Sequence, residues 1–348
     1  MSNPRPLLAL SEAQAPFFYG VDVGGTNIKI GLLDNTGQTL AFSRVPTNEA
    51  EGPEQAVQRA AACCWELSRI AGIDRSQVIR TGLGAPGPMC LKRGLLLDPV
   101  NLPHWHNFKI QKALSNALEM PVSFANDANA AAYGEYWVGT GEQYDSMALF
   151  TLGTGVGGGL IVHGTLIHGL NSFGSETGHI IVDSRPDARL CVWGGGRGHL
   201  EAYASASAVA ARTSERILEG SPSSLSKILD DGKAITAKHV YQAALDGDGL
   251  SLEIIDETAF YLGVGVASTV HAIDPGIVVL GGAMNFGGRN CTIGKRFLKG
   301  ITDEFHDRTF PNVSAGTKID FATLGGDAGY IGAAGIAHAD HHATPSDS

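Results

Sequence analysis

Two glycine-rich turns, far apart in the chain, constrain its fold most. Each turn follows an apolar stretch that alternates with small or polar residues and leads into a second such stretch, so residues 21–30 and 150–161 both predict β-hairpins. Glycine has no Cβ atom, so the backbone of such a turn can take a positive φ and approach an anion closely. Successive N–H groups in a turn of this kind bind phosphate oxygens. Two copies predict a protein that grips the phosphates of a nucleotide from both sides.

The residues around the turns favour this interpretation over two ordinary hairpins. The turn residues are Gly24, Gly25 and Thr26 in the first hairpin and Gly153, Thr154 and Gly155 in the second. Asp22 and Thr151 occupy matching places before the glycines. A carboxylate is unfavourable beside a phosphate unless Mg²⁺ accompanies it, so Asp22 is the predicted Mg²⁺ residue, directly or through water. The positive charge of Lys29 makes it a candidate contact for phosphate. The alternative is an ordinary strand lysine, which is more often exposed to solvent.

A dinucleotide-binding fold is the main competitor, because two segments match the pattern G-x-G-x-x-G. They begin at Gly82 and Gly153. The pattern binds a pyrophosphate only where a helix follows it. Pro88 follows the first match and a strand-like apolar run follows the second, so a nicotinamide dehydrogenase is disfavoured.

Composition limits the partners and the compartment. The 348 residues suggest two domains, and 43% hydrophobic residues suffice for real cores. A net charge of −10 argues against nucleic acid or an anionic membrane as the main partner. Five cysteines, two of them adjacent, make a poor disulfide framework. With no signal peptide and no membrane-spanning stretch in the sequence, we expect a cytoplasmic protein.

Strands and helices alternate along the chain, which predicts an α/β fold, and the chemistry is predicted at the junction of one such pair. Asn126 and Asp127 lie between a short strand and the helix-forming run 128–136. Backbone N–H groups and the helix dipole favour a charged carboxylate there. A sugar hydroxyl that attacks a γ-phosphoryl group needs such a carboxylate to accept its proton. A plain helix N-cap is the alternative, since both residue types are favoured caps.

Seven motifs in order give the chain a family resemblance. They occupy residues 22–26, 84–88, 101–105, 126–131, 153–159, 176–179 and 198–201. The chain resembles the ROK family of sugar kinases and related repressors, within the actin/hexokinase superfamily, from about Phe17 to Ala337. The resemblance implies a two-domain, ribonuclease H-like ATPase fold with a cleft between the domains.

The resemblance also implies the roles of individual residues. Asp127 would be the catalytic base for the 6-hydroxyl of a hexose. The other sugar hydroxyls would bind Asn101, Asn126, Glu176, His179 and Glu201. The two glycine turns would hold the phosphates of ATP, with Asp22 near Mg²⁺, and Gly281 and Gly282 would lie near adenosine. Buried carboxylates and amides suit a pyranose, which offers many donors and acceptors.

The chain departs from the family at a structural zinc site. Many members build it from the motif histidine and three cysteines, whereas here only Cys191 remains, and His199 stands where the last cysteine is expected. His179, Cys191 and His199 offer three ligands, and a closed structural site normally needs four. We therefore predict that structural zinc is absent and that hydrogen bonds and packing of Trp193 hold the loop.

These observations predict an ATP-dependent hexose kinase, most simply a glucokinase. The expected small domain comprises residues 17–125 and 330–339, the large one 126–329, and residues 1–16 and 340–348 form flexible tails. A homodimer is expected from the family. Mannose, fructose, N-acetylglucosamine and N-acetylmannosamine stay open as substrates, as does polyphosphate in place of ATP. A repressor is disfavoured because no DNA-binding domain precedes the first hairpin, and a non-catalytic sugar-binding protein is disfavoured by Asp127 and both turns.

Overall fold

The computed structural model describes residues 6–191 and 195–343. Its strands are β1 Phe17–Val23, β2 Asn27–Leu33, β3 Thr39–Pro46, β4 Val78–Ala85, β5 Met89–Cys90, β6 Leu95–Leu96, β7 Val122–Asn126, β8 Met147–Leu152, β9 Val156–Val162, β10 Thr165–Leu166, β11 Ile277–Gly281 and β12 Lys318–Phe321. Its α-helices are α1 Pro53–Ala71, α2 Ile110–Leu118, α3 Asp127–Val138, α4 Glu201–Ala204, α5 Ala206–Leu218, α6 Ser226–Asp230, α7 Ala237–Leu245, α8 Gly249–Ile273, α9 Thr292–Arg308, α10 Pro311–Gly316 and α11 Ala328–His342. The predicted α/β class is confirmed.

Two mixed five-stranded sheets organise these elements. The first has the order β3-β2-β1-β4-β7 and the second the order β10-β9-β8-β11-β12. In the first sheet β1 pairs antiparallel with β2 and parallel with β4, and in the second β8 pairs antiparallel with β9 and parallel with β11. Each glycine turn therefore joins the antiparallel pair that the sequence predicts, and a parallel strand lies beside each pair.

The first compact unit comprises the described residues up to Gln143, the segment Leu166–Ser175 and the described residues from Leu324 onward. The predicted boundary at residue 125 falls inside this unit, because α3 packs directly on α11. A Cβ atom on Gly332 of α11 would lie 1.6 Å from the carbonyl oxygen of Ala130 in α3. Only glycine permits that approach, so α3 packs on α11 and belongs to the first unit.

The α11 helix also lies directly on the first sheet. A Cβ atom on Gly20 would lie 1.9 Å from the carbonyl oxygen of Tyr330, and one on Gly82 would lie 1.7 Å from that of Ala333. Phe18 of β1 packs into the cluster on this face, whereas Tyr19 belongs to the separate cluster formed with α1 and α2. This alternation follows from the two-residue period of a strand, and it buries both faces of the sheet.

The second compact unit comprises Tyr144–Thr165 and the described part of Glu176–Thr323. Its core joins the central strands β8 and β11 to the long helix α8 and to α5, α7 and α9. The segment 219–232 contains the short helix α6.

Both chain ends are more ordered than the predicted tails. The N–H of Leu8 donates to the carbonyl oxygen of Thr39 at 2.8 Å, so the N-terminal segment adheres to the first sheet. At the other end α11 continues to His342, and the ring of His338 lies 5.4 Å from that of Phe18 and 5.0 Å from that of Trp137. Residues 1–5 and 344–348 of the predicted tails lie outside the described residues. None of the described helices is long and apolar enough to span a membrane.

Candidate active site

The first glycine turn is closed by its own backbone. The N–H of Gly24 donates to the carbonyl oxygen of Asn27 at 3.0 Å, and the Thr47 hydroxyl donates to the Gly24 carbonyl oxygen at 2.6 Å. A Cβ atom on Gly25 would lie 3.5 Å from Cβ of Asn101. Gly25 and Thr26 are exposed. The structure thus brings Asn101, a predicted sugar residue, beside the first predicted phosphate turn.

Asp22 lies behind this turn in a setting that suits a cation. It stands opposite Lys29 in the β1–β2 register, and a Cβ atom on Gly329 of α11 would lie 2.4 Å from its Oδ2. Burial raises the pKa of the Asp22 carboxyl, and the charge of Lys29 partly offsets this. The first turn of α11 places helix N–H dipoles near the carboxylate. A desolvated carboxylate oxygen is a ligand that Mg²⁺ prefers, so the residue fits the predicted ion.

Lys29 is tied to the start of α11. Its Nζ donates to the carbonyl oxygen of Gly326 at 2.6 Å, in the turn before that helix, and the side chain is half-buried. Lys29 is therefore not simply a solvent-exposed strand lysine. Its predicted contact with phosphate stays a prediction.

Asn126 and Asp127 lie where β7 ends and α3 begins. Asn126 is the N-cap, and its Oδ1 accepts the Ala128 N–H at 2.9 Å. Asp127 is the first helical residue, and its Oδ1 also accepts that N–H, at 2.8 Å. The N-cap alternative thus applies to Asn126, whereas the Asp127 carboxylate lies in the first turn, where the helix dipole favours its charged form.

The two aspartates flank one glycine. A Cβ atom on Gly84, at the end of β4, would lie 3.9 Å from both Oδ1 of Asp22 and Cα of Asp127. A Cβ atom on Gly87 would lie 3.4 Å from Nδ2 of Asn126. Since β1, β4 and β7 are parallel, their carboxyl ends meet at one sheet edge, where ligands bind in open α/β sheets.

The second glycine turn is anchored from the start of α5. The N–H of Gly153 donates to the Gly155 carbonyl oxygen at 3.0 Å. The N–H of Ala206 donates to the Gly153 carbonyl oxygen, and the Ser207 hydroxyl donates to that of Thr154, both at 2.8 Å. The carbonyl groups of Gly153 and Thr154 therefore point to α5.

Glu201 supports this turn, a contact the sequence did not predict. The side chain is buried, and its Oε2 accepts the N–H of Val156 at 2.8 Å. A Cβ atom on Gly155 would lie 2.3 Å from the same oxygen, so glycine is needed for the carboxylate to reach the turn. Forty-five positions separate the two partners, and no local pattern links them.

Glu176 and His179 lie with Glu201 in the second unit. Glu176 is the N-cap and His179 the last residue of a short 3₁₀ turn. This turn packs on β9, since a Cβ atom on Gly178 would lie 1.9 Å from the Val156 carbonyl oxygen. Desolvation raises the pKa of the Glu176 carboxyl; His179 opposes this shift, and the Glu201 carboxylate adds to it. The predicted sugar residues therefore form two groups, with Asn101, Asn126 and Asp127 in the first unit.

Gly281 and Gly282 follow β11 beside the end of β8. Gly282 has a φ of +89°, and a Cβ atom on it would lie 2.2 Å from the Leu152 carbonyl oxygen. The N–H of Met284 donates to the same oxygen at 2.9 Å. The Gly281–Gly282 turn thus packs next to the second glycine turn.

Comparisons with known proteins identify the family. Residues 18–340 match the model of the ROK family. The chain belongs to the ROK family. Over 318 residues it is 36% identical to the glucokinase of Halalkalibacterium halodurans, covering 91% of this chain and 93% of that one.

Solved ROK structures confirm the actin-like ATPase fold. The chain matches a ROK hexokinase from Thermus thermophilus with a TM-score of 0.79 and 29% identity, covering 93% of this chain and 99% of that one. It matches a ROK glucokinase from Streptomyces griseus, solved in complex with glucose and AMPPNP, with a TM-score of 0.72 and 32% identity, covering 92% and 99%.

The structure brings together the three residues that offer ligands where many ROK proteins would have the zinc motif. The donor atoms of His179, Cys191 and His199 all lie within 4.8 Å of one another. Nδ1 of His179 is 3.1 Å from Nδ1 of His199, and the Gly196 N–H donates to Nε2 of His199 at 3.3 Å. Cys191 therefore lies close to both imidazoles.

This donor set does not fit a closed structural zinc site. Three donors come together among the described residues, and such a site normally needs four. Residues 192–194, which lie outside the described residues, are Val, Trp and Gly and bring no thiol or imidazole. The predicted packing of Trp193 falls in that gap. The Cys191 sulfur donates instead to Oε1 of Glu201 at 3.1 Å.

Proposed function

We propose that this protein is an ATP-dependent hexose kinase that phosphorylates the 6-hydroxyl of D-glucose. The placement of Asp22 and Asp127 on either side of Gly84 carries the proposal. The Asp22 carboxylate is half-buried behind a phosphate-type turn, which suits Mg²⁺. The Asp127 carboxylate begins a helix, which suits it to accept a proton. The glucokinase name of the Halalkalibacterium halodurans relative and the glucose and AMPPNP in the Streptomyces griseus structure support the same reaction.

Asp127 would act as the base. The hexose O6 attacks the γ-phosphorus of ATP, the bond from that phosphorus to the bridging oxygen breaks, ADP leaves, and the O6 proton passes to the Asp127 carboxylate. The transition state is loose, so the proton leaves late and positioning matters more than a high pKa. The Ala128 N–H fixes Oδ1 at 2.8 Å, which holds the carboxylate at the start of α3.

The remaining residues would bind the two substrates. Sugar hydroxyls would pair with Asn101, Asn126, Glu176, His179 and Glu201. The turn N–H groups of both hairpins and Lys29 would hold the phosphates, and Gly281 and Gly282 would border adenosine. Mg²⁺, held by Asp22 directly or through water, would neutralise phosphate charge. Glu201 can still accept a sugar hydroxyl, because each carboxylate oxygen has two lone pairs.

The identity of the sugar substrate and the oligomeric state are part of the same proposal. The alternative substrates are mannose, fructose, N-acetylglucosamine and N-acetylmannosamine. The shape of the sugar pocket selects among them at the positions where these hexoses differ. A cytoplasmic homodimer that binds neither nucleic acid nor membrane is the expected form. A sugar-binding relative without turnover is the alternative class.

The test measures ADP release with Mg²⁺-ATP against these five hexoses, for the native protein and Asp127→Asn. Formation of the hexose 6-phosphate is measured when polyphosphate replaces ATP as the donor. The amide keeps an oxygen to accept the Ala128 N–H, so this variant should fold and bind sugar. We expect kcat on glucose to fall by about 100-fold or more. Glu66→Gln, which alters an exposed ion pair on α1, is the matched control and should keep full activity.

Turnover confined to another hexose would retain the mechanism and change the substrate. A kcat close to native in Asp127→Asn would exclude Asp127 as the base. Sugar binding without turnover on any hexose would support the binding-protein alternative.

A further inference from the structure

The segment between His179 and Glu201 closes on itself through its backbone. Isolated antiparallel bridges pair Ile181 with His199 and Leu190 with Arg197. The N–H of Val182 donates to the carbonyl oxygen of Gly198 at 2.8 Å, and the N–H of Gly198 donates to that of Arg189 at 2.8 Å. The described parts of this segment are therefore brought together by main-chain contacts.

Charged side chains then attach the segment to the helices. Asp183 accepts the Tyr203 hydroxyl at 2.6 Å and the Arg185 guanidinium at 2.7 Å. Arg189 donates to Glu215 of α5 at 2.9 Å. Asp183 is buried, and its bonds to Arg185 and Tyr203 hold the pKa of its carboxyl well below the usual range. These contacts anchor the segment to α4 and α5.

One side chain of the segment reaches Glu201 itself. Cys191 is buried, and its sulfur donates to Oε1 of Glu201 at 3.1 Å, while Oε2 accepts the Val156 N–H at 2.8 Å. One carboxylate oxygen therefore accepts the thiol, and the other accepts the N–H that follows the second glycine turn. We infer that Cys191 is a positioning residue: its S–H group donates to Oε1 of Glu201 and fixes that carboxylate against the second glycine turn.

Ligation of zinc and this contact are mutually exclusive uses of Cys191. A metal binds the thiolate, which has no proton to donate. A thiolate 3.1 Å from a buried carboxylate oxygen would place two anions together without a cation between them. The contact therefore requires an S–H donor, in agreement with a donor set that lacks a fourth ligand.

The consequence for catalysis rests on the proposed function. If Glu201 binds sugar and holds the second turn, loss of the thiol lets the carboxylate rotate, so KM should rise more than kcat falls. A hydrogen bond to a charged group is worth roughly tenfold in an equilibrium constant. We expect Cys191→Ala to raise KM for hexose and ATP by about this factor. Serine can donate the same bond, so Cys191→Ser should stay within about threefold of native.

The experiment measures metal, thiol and ligand binding on the full chain. Zinc is counted by mass spectrometry in protein purified with zinc in the medium and no chelator. The infrared S–H stretch of Cys191 is taken from the difference between native and Cys191→Ala spectra. Glucose and AMPPNP affinities are measured by calorimetry beside the kinetics. Cys63→Ala, on α1, is the matched control.

Three results together would support the inference. The protein would hold less than about a tenth of a zinc ion per chain, and the Cys191 S–H band would be shifted to lower frequency. Ligand binding would be weaker in Cys191→Ala but not in Cys191→Ser. About one zinc ion per chain that is lost in Cys191→Ser would overturn it, as would native affinities in Cys191→Ala. Absent turnover in the native protein would refute the proposed kinase and leave the zinc, infrared and binding readouts decisive for Cys191.

Discussion

The two glycine turns place a carboxylate behind the backbone in different ways. At the first turn the carboxylate is Asp22, two positions before Gly24 on the same strand. At the second turn the matching residue is Thr151, and Glu201 supplies the carboxylate from α4. Asp22 is a desolvated acid near a cationic side chain, whereas Glu201 accepts an N–H of the turn and a thiol.

This difference separates a chemical role from a structural one. The Glu201 carboxylate accepts hydrogen bonds from Val156 and Cys191, so it stiffens the second glycine turn. Asp22 faces Lys29 across the hairpin, but Nζ of Lys29 donates to Gly326, so the carboxylate keeps the capacity to attract a cation. We therefore expect the first turn to control metal use and the second to control geometry.

The largest effect should follow Asp22→Asn. The amide has nearly the same shape but no charge, so the hairpin should fold while the Mg²⁺ site is lost. We expect kcat/KM to fall by about 100-fold or more and the Mg²⁺ concentration for half-maximal rate to rise. Mg²⁺ titration of the steady-state rate measures both. An unchanged Mg²⁺ dependence would remove Asp22 from the metal site.

Gly155→Ala should have the next largest effect, at the second turn. Its Cβ would lie 2.3 Å from Oε2 of Glu201, so the carboxylate must leave the Val156 N–H. We expect kcat/KM to fall about tenfold and the free energy of unfolding to drop by about 1–3 kcal/mol, as for overpacking. Urea unfolding measures the stability.

Gly153→Ala is the matched control for that change. A Cβ there would meet its nearest atom, the Gly155 carbonyl oxygen, at 4.0 Å, an ordinary contact. The control should therefore leave stability close to native. Equal losses in the two variants would show that any methyl group in the turn is harmful, and Glu201 would then have no special part.

The contrast also shows what the sequence can predict. The hairpins, the α/β class and the Asn126–Asp127 junction were predictable because strand period, turn glycines and cap residues act over a few positions. The support of the second turn by Glu201 and the contact of Lys29 with Gly326 were not, since 45 and 297 positions separate the partners. The predicted boundary after residue 125 missed the attachment of α3, which depends on the distant Gly332.

Lys29 offers a smaller test at the first turn. Lys29→Met keeps the aliphatic stem but loses the donor to Gly326 and the charge opposite Asp22. We expect KM for ATP to rise about three- to tenfold, because the start of α11 loosens and a phosphate contact is lost. Lys29→Arg should recover part of the loss. If the methionine variant kept native KM, Lys29 would have neither role.

The smallest effect should be a pH dependence that involves only the sheet of the first turn. His338 packs beside Phe18 of β1 and Trp137, and burial, with His342 and His341 nearby, lowers its pKa to about 4. The unfolded chain, with an ordinary histidine pKa of about 6.5, binds this proton more readily between these two values. Stability from the neutral ring is therefore complete above about pH 6.5 and is lost as pH falls toward 4, by about 1–2 kcal/mol after allowance for solvent screening.

His338→Gln isolates this contribution, because glutamine does not titrate in that range. Urea unfolding at pH 7 and pH 5, followed by tryptophan fluorescence, should give a smaller pH difference in the variant than in the native protein. His239→Gln, in the N-terminal turn of α7 in the second unit, is the control and should keep the native difference. Since α11 lies on β1 and β4 through Gly20 and Gly82, acid should loosen the first turn before the second. An equal pH difference in His338→Gln and native protein would remove His338 as the cause.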